Sequence, residues 1–296
     1  MIIPFDVYYD DKNHLDKVYH RGQNKIWDGV EVLGDLFEKY PNPAISFTES
    51  QEAALRNILS IILWGEYAAW NISSEMSANF NDFGAKMAAV SQAHDEARHF
   101  YVIRNYLQQR LNYKPKAIFE PAFKVLDEVS RTENLSKKLL GLQLMIEPVA
   151  ITIFRFIKQS NVDPLLTELL PYFEKDEARH ISLGVKYLPN LIKRMTIFEK
   201  ISFIWWQIRL ILYEIRGLKC IEEDLRELNI SPRDVFEFAE NKQIRCLKEL
   251  SAEIGVGEKI WKPVIKIITF NKNLRFYPHQ DHHFIRRAIN CFFDSL

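Results

Sequence analysis

The chain has 296 residues, 39 basic and 39 acidic side chains, and no net formal charge. That length allows one large domain with a sizeable buried core, and the balanced charge excludes the basic footprint of a nucleic-acid partner. Only 10 glycines interrupt a sequence whose apolar residues recur at helical spacing, so an all-α fold is expected.

Residues 1–47 read as an N-terminal arm plus a short helix near Trp27–Tyr40 that lies across the rest. The arm has no basic stretch ahead of an apolar run, as a secretory signal requires. A first core helix starts near Thr48, where Thr48-x-x-Gln51 has capping-box form, and runs to about Ala78. Its stripe of Leu59, Ile62, Leu63, Glu66, Ala69, Trp70 and Ser73 puts Glu66 on the buried face. The segment 79–84 is a turn, and a second helix follows from about Ala85 to Leu111. The connection from Asn112 to about Asn134 holds a short helix near Ala122–Arg131 and is long enough to cross a bundle.

A third helix, Leu135 to Gln159, carries the stripe Leu140, Gln143, Leu144, Glu147, Ile151 and Phe154. Pro148 removes the amide that would bond the carbonyl of Leu144, which predicts a kink or a π-type irregularity beside Glu147. Asp163 as N-cap and Pro164 at the first helical position open the fourth helix. Pro171 is expected to bend that helix and Pro189 to end it. Residues 191–296 read as flanking helices, one near Ile197–Leu228 and the next opened by Ser231-Pro232. A late polar run contains His279, His282 and His283 and reads as a loop rather than a metal site.

Two stretches are apolar enough to suggest membrane spans. Leu139–Ile157 has Glu147 at its middle, and Ile201–Ile215 contains Gln207, Arg209 and Glu214, so no membrane span is expected. Cys220, Cys246 and Cys291 are far apart and form no Cys-x-x-Cys pair, which favours a reducing cytoplasm.

The chemistry is carried by a repeat. Asp95-Glu96-Ala97-Arg98-His99 recurs unchanged as Asp176-Glu177-Ala178-Arg179-His180. On a helix the Glu and His of each copy, three positions apart, share one face. Thirty residues before each Glu stands a lone Glu in an apolar stretch, Glu66 and Glu147. The midpoint of Glu66 and Glu96 is position 81 and that of Glu147 and Glu177 is position 162, each inside a predicted turn. Two antiparallel hairpins therefore bring their glutamates level. Four buried carboxylates without counter-charge would repel one another and resist desolvation. With His99 and His180 they make the ligand set of a carboxylate-bridged dimetal site in a four-helix bundle, and oxygen-rich ligation favours iron or manganese over structural zinc. Asp95 and Asp176 are natural acceptors for the outer N–H of the histidines, across the bundle, with Arg98 and Arg179 neutralising them. A substrate pocket lined from the same stripes would use Trp70, Ile103, Gln143, Ile151, Phe154, Phe173 and Gly184, the last opening space one turn past His180. Ordinary core packing is the alternative for each of these.

The pattern resembles the ferritin-like dimetal carboxylate superfamily over about residues 48–190. Its Asp-Glu-x-Arg-His form is similar to the oxidase and oxygenase branch, which includes ribonucleotide reductase small subunits. The resemblance implies a one-crossover four-helix bundle with flanking helices and a Fe/Fe cofactor, or Mn/Fe as the alternative. It also implies that Glu96 and Glu177 bridge while Glu66 and Glu147 bind terminally. The implied activity is oxidation of a small organic substrate with dioxygen, with electrons from a donor protein or small reductant. A radical carrier of the reductase type and a ferroxidase or iron-handling protein are the alternatives. Three positions depart from individual activities: Ile103 stands where the reductases keep a radical tyrosine, Phe173 where N-oxygenases add a histidine, and Ile151 where monooxygenases carry a threonine. A homodimer through the long apolar helix after residue 196 stays open alongside its packing on the bundle.

Overall fold

The computed structural model describes residues 14–41, 47–115, 123–254, 261–276 and 283–294, and every regular element among them is helical. Two short helices come first, α1 (His14–Gln23) and α2 (Gly29–Lys39). Only α2 was legible as a helix. α1 falls in the expected arm, where it buries Leu15 and Val18 along one side and packs on the core helices.

The four core helices are built as two hairpins. α3 (Glu49–Asn79) begins with the expected capping box, Gln51 N donating to Thr48 Oγ1 at 3.2 Å and Thr48 N to Gln51 Oε1 at 3.1 Å. α4 (Phe83–Arg110) returns after a short turn in which Asp82 accepts from Ala85 N at 2.8 Å. The crossover contains α5 (Lys124–Arg131). The third core helix is one continuous rod in three registers: α6 (Leu135–Leu139), a π-helical segment (Leu140–Ile146) and α7 (Glu147–Ser160). In the π segment Glu147 N reaches back five residues to the carbonyl of Leu142. The irregularity thus falls in the turn before Pro148, which has no amide to continue either pattern. α8 (Pro164–Lys193) completes the bundle. Its N-cap Asp163 accepts from Leu165 N at 3.0 Å and also receives Arg110 through Nε and Nη2, both at 2.9 Å, and Tyr106 Oη at 2.8 Å. One buried carboxylate therefore starts α8 and clamps the end of α4.

Contrary to the expectation from sequence, Pro189 does not end this helix; α8 continues for one turn to Lys193. Leu188 and Ile192 are both buried in the core, and that packing offsets the hydrogen bond the proline removes. Outside the core lie α9 (Ile197–Cys220), α10 (Glu222–Glu227), α11 (Pro232–Ile254), α12 (Lys262–Phe276) and α13 (Phe284–Asp294). The single helix expected near Ile197–Leu228 is therefore two, parted at Ile221. The polar run with His279 and His282 lies outside the described residues.

The apolar interior forms two clusters. One gathers Ala69, Ile72, Met76, Leu140, Leu144, Leu183 and Leu188, the other Leu55, Ile58, Leu63, Ile103, Phe154, Leu166 and Phe173. Along α3, Glu66 falls between Leu63 of one cluster and Ala69 of the other. Along α8, Glu177 and His180 fall between Phe173 and Leu183. A polar layer thus divides the bundle. Leu135–Ser160 is long and apolar enough to cross a membrane, but 72% of its most apolar stretch is buried inside the protein.

Candidate metal centre

Each core helix delivers acids to this layer. Glu66, Glu96, Glu147 and Glu177, with His99 and His180, are all buried, none more than 4% exposed. Their donor atoms form two overlapping sets, Glu66–Glu96–His99–Glu177 and Glu96–Glu147–Glu177–His180, each with all ligand atoms within 4.8 Å of one another. Glu96 and Glu177 belong to both sets, Glu66 and Glu147 to one each. His99 Nδ1 faces Glu177 at 3.2 Å and Glu66 at 3.3 Å. His180 Nδ1 faces Glu177 at 2.9 Å and Glu96 at 3.1 Å. Both imidazoles present the same nitrogen to the centre.

The outer nitrogens are held crosswise. His99 Nε2, on α4, lies 3.2 Å from Asp176 Oδ2 on α8, and His180 Nε2, on α8, lies 3.3 Å from Asp95 Oδ2 on α4. Arg98 donates to Asp95 at 2.5 Å and to Asp176 at 2.9 Å. Arg179 does the same in mirror order, to Asp176 at 3.1 Å and to Asp95. The two pentapeptides are thus bolted together by a buried Asp–Arg quartet, and each copy orients the other's histidine.

Whether these residues fit a metal pair is answered by their unfilled valences. Glu96 Oε2 and Glu177 Oε1 are buried without a well-directed hydrogen bond, although both face His99 Nδ1, at 3.5 and 3.2 Å, and a buried carboxylate oxygen normally has a partner of its own. These two carboxylates are common to both donor sets. In the bare protein, burial pushes Glu66 and Glu147 well above the ordinary carboxylate range. For Glu96 burial acts the same way, but the charge and hydrogen bonds of His180 and His99 outweigh it and hold the group well below that range. Burial lowers His99 and His180, yet the surrounding carboxylates win and raise both well above the usual imidazole value. Protons therefore do in the bare protein what divalent cations do in a loaded one: they cancel carboxylate charge in a dry layer. The donor set fits two cations with oxygen-rich coordination.

Neither family models nor curated protein sequences match the chain. Its fold is matched by solved structures. The dimanganese(II)-NrdF of Streptococcus sanguinis superposes with a TM-score of 0.62 at 8% identity, covering 99% of this chain and 100% of that one. The R2-like ligand-binding oxidase of Sulfolobus acidocaldarius gives 0.58 at 18% identity, covering 85% and 94%. An R2-like ligand-binding oxidase variant with an aerobically reconstituted Mn/Fe cofactor gives 0.60 at 13% identity, covering 86% and 100%. The chain has the ferritin-like fold of the dimetal carboxylate proteins.

On this ferritin-like frame the expected pocket residues take other places. Trp70 is 38% exposed and joins a surface group with Tyr67 and Phe100. It lies four residues past Glu66, and the inward position of the next turn goes to Ala69. Ile103, Ile151 and Phe154 are buried core residues. Phe173 stacks on the His99 ring at 4.2 Å between centroids. Gly184 opens no space: a Cβ there would run into Gln143 Cβ, so the glycine lets the π segment press against α8. Gln143 donates to Gln92 Oε1 at 2.6 Å, not to a cavity.

The cavity lies on another side. About 120 Å³ of space is bounded by Ile61, Gly65, Ile146, Val149, Ile153 and Leu218, and Glu66 and Glu147 reach its wall. None of the seven expected residues lines it. The apolar stripes mark faces that point into the bundle, whereas this space opens between α3, α7 and the flanking α9. Two residues that contact the centre were not singled out by the sequence. Gln92 Nε2 donates to Glu96 Oε1 at 3.0 Å and to Glu147 Oε1 at 2.8 Å; its one signal in sequence is a position four before Glu96. Trp27 Nε1 donates to Asp176 Oδ2 at 2.8 Å, and its ring stacks near His99 and under Arg98. Nothing local in the N-terminal segment announces that contact.

Proposed function

We propose that this protein is a non-haem dimetal oxidase that uses dioxygen to oxidise a small organic molecule held in the cavity beside Glu66 and Glu147. The observation that carries the reading is the pair of overlapping four-ligand sets sharing Glu96 and Glu177. Bound there, two iron ions, or manganese with iron, would supply the electrons that reduce dioxygen. Glu66, Glu96, His99, Glu147, Glu177 and His180 would hold them, with Glu96 and Glu177 common to both. Asp95, Asp176, Arg98 and Arg179 fix the imidazoles, and Gln92 fixes one oxygen each of Glu96 and Glu147. The neighbours described as ligand-binding oxidases support a protein that holds a ligand, and the space beside Glu66 and Glu147 is where this reading puts it. An apolar cavity of roughly 150 Å³ takes a benzene-sized molecule, so the space here suits one ring or a short chain.

The reduced state needs an outside electron donor. The Trp27–Asp176–His99 chain is a hydrogen-bonded link from the N-terminal helices to the centre. Against a tyrosyl-radical carrier stands Ile103, an inert side chain buried one turn past His99. Against an iron store stand the apolar cavity and its flanking helices. A homodimer belongs to the same reading: Phe198, Ile201 and Trp205 leave an apolar stripe of α9 exposed at 81%, 47% and 66%. The wide sequence separation of Cys220, Cys246 and Cys291, with no Cys-x-x-Cys pair, supports a reducing, cytoplasmic setting.

Anaerobic Fe(II) titration followed by air tests the core of this. Two metal ions per chain and a near-ultraviolet oxo-dimetal band are expected. Glu96→Ala and His180→Ala should each lose that stoichiometry. Wild-type protein that takes up no metal, from iron or from a manganese–iron mixture, refutes the reading.

A further inference from the structure

One polar group in the cavity wall keeps an oxygen that neither the centre nor the fold uses. Glu214, on α9, is 9% exposed and lines the cavity shared with Glu66 and Glu147. Its Oε2 accepts from Gln243 Nε2 on α11 at 2.7 Å, whereas its Oε1 is buried with no partner. Among the described residues no cation pairs with it. The acid on α11 that shares its second, smaller void is Glu240, which is engaged by Lys272 at 2.8 Å and Thr269 at 3.1 Å. Burial pushes the Glu214 carboxyl up to about 8, so at neutral pH it carries a hydroxyl. With Oε2 taken by the amide, the open oxygen is Oε1. A buried donor without an acceptor is destabilising, and a ligand supplying the acceptor would remove that cost.

We infer that Glu214 is the specificity-determining residue of the cavity, its Oε1 hydroxyl donating to a carbonyl or hydroxyl oxygen of an uncharged, otherwise apolar ligand. The geometry favours that class. The remaining wall is almost wholly aliphatic, and no basic residue lines it to pair with a charged carboxylate. A site built around a buried hydrogen-bonding group rejects ligands that leave it unpaired more strongly than an apolar wall rejects a poor fit. The inference rests on the cavity being the ligand site of the oxidase proposed above.

The test uses the full-length, metal-loaded protein and three probes of similar size: ethylbenzene, acetophenone and benzylammonium. Calorimetric titration should show acetophenone binding at least tenfold tighter than ethylbenzene. Glu214→Leu should bring that ratio to about one with ethylbenzene affinity little changed, and Glu214→Gln, whose amide still donates, should keep most of the preference. Infrared difference spectra of the wild type give a second measurement that does not depend on a variant's stability. A protonated-carboxyl C=O band, absent in Glu214→Gln, should move to lower frequency with acetophenone and stay in place with ethylbenzene. An unchanged ratio in Glu214→Leu, an unmoved band, or strongest binding by benzylammonium would overturn the inference. Gly65 lies on the same wall, and a Cβ added there would meet no atom within 4 Å, so Gly65→Leu should fill the space and weaken every probe. Probe binding that Gly65→Leu leaves untouched would instead sink the cavity as ligand site, while metal loading stands or falls by its own titration.

Discussion

The buried acids of this protein fall into two kinds, and the difference sets how stability responds to pH. Burial works to raise Asp176, but the hydrogen bond and charge of His99, then Arg179 and Trp27, hold it far below the ordinary range. Glu214 has only a neutral amide and rises from 4.5 to about 8. Between 4.5 and about 8 the unfolded chain has lost a proton that the folded chain keeps on Glu214. The Glu214 contribution is therefore complete below about pH 4.5 and is lost as pH rises through about 8, a change of at most roughly 5 kcal/mol. Glu214→Gln cannot titrate. In urea unfolding at pH 5 and pH 8.5, the variant should gain several kcal/mol on the wild type at the higher pH, and an equal difference at both would contradict a protonated Glu214. At this scale the sequence picked out the six residues of the two donor sets and both Asp–Arg pairs, because identity of two pentapeptides is local information. Gln92, Trp27 and Glu214 were not legible, because what singles them out is a contact with another helix 51 to 149 positions away or a cavity.

At the scale of elements, turns and caps were readable and packing was not. The Thr48 box and the Asp163–Pro164 start lie where expected, since a cap is a matter of a few adjacent residues. Pro148 announced an irregular helix, but its π register and its fit against α8 depend on Gly184, whose role was misread as open space. That fit is testable. Gly184→Ala places a methyl against Gln143, and overpacking of this kind costs typically about 1–3 kcal/mol. The strain should pass along Gln143 to Gln92 and so to Glu96 and Glu147. Metal affinity should drop together with stability in Gly184→Ala, measured by competition with a chromophoric chelator. Gly34→Ala, at a helical glycine with open space around it, should leave affinity unchanged and stabilise by up to about 1 kcal/mol.

For the whole molecule, the dividing polar layer makes metal and fold a single problem. Within the four-helix core the two apolar clusters lie on either side of a layer of acids and imidazoles in which all four core helices take part, and Leu218 of α9 touches both from outside. Protons can neutralise that layer, but they cannot tie four helices to common points, and Glu96 Oε2 and Glu177 Oε1 are left to share His99 Nδ1 without a well-directed hydrogen bond. Metal that binds the folded state alone, at a free concentration one hundred times Kd, stabilises by about 2.7 kcal/mol per site. A 296-residue chain has an unfolding entropy of roughly 0.6 kcal/mol per degree, so each occupied site should raise Tm by about 4 °C. Chelation with EDTA should reverse the whole increment, and in Glu96→Ala neither addition nor removal of metal should move Tm. Hydrogen exchange then separates a tie from a local clamp. If the layer joins the two clusters, chelation lowers protection in α3 around both Leu55 and Ile72, well away from the ligands on either side; if it only orders its own surroundings, the loss stops within a turn of Glu66.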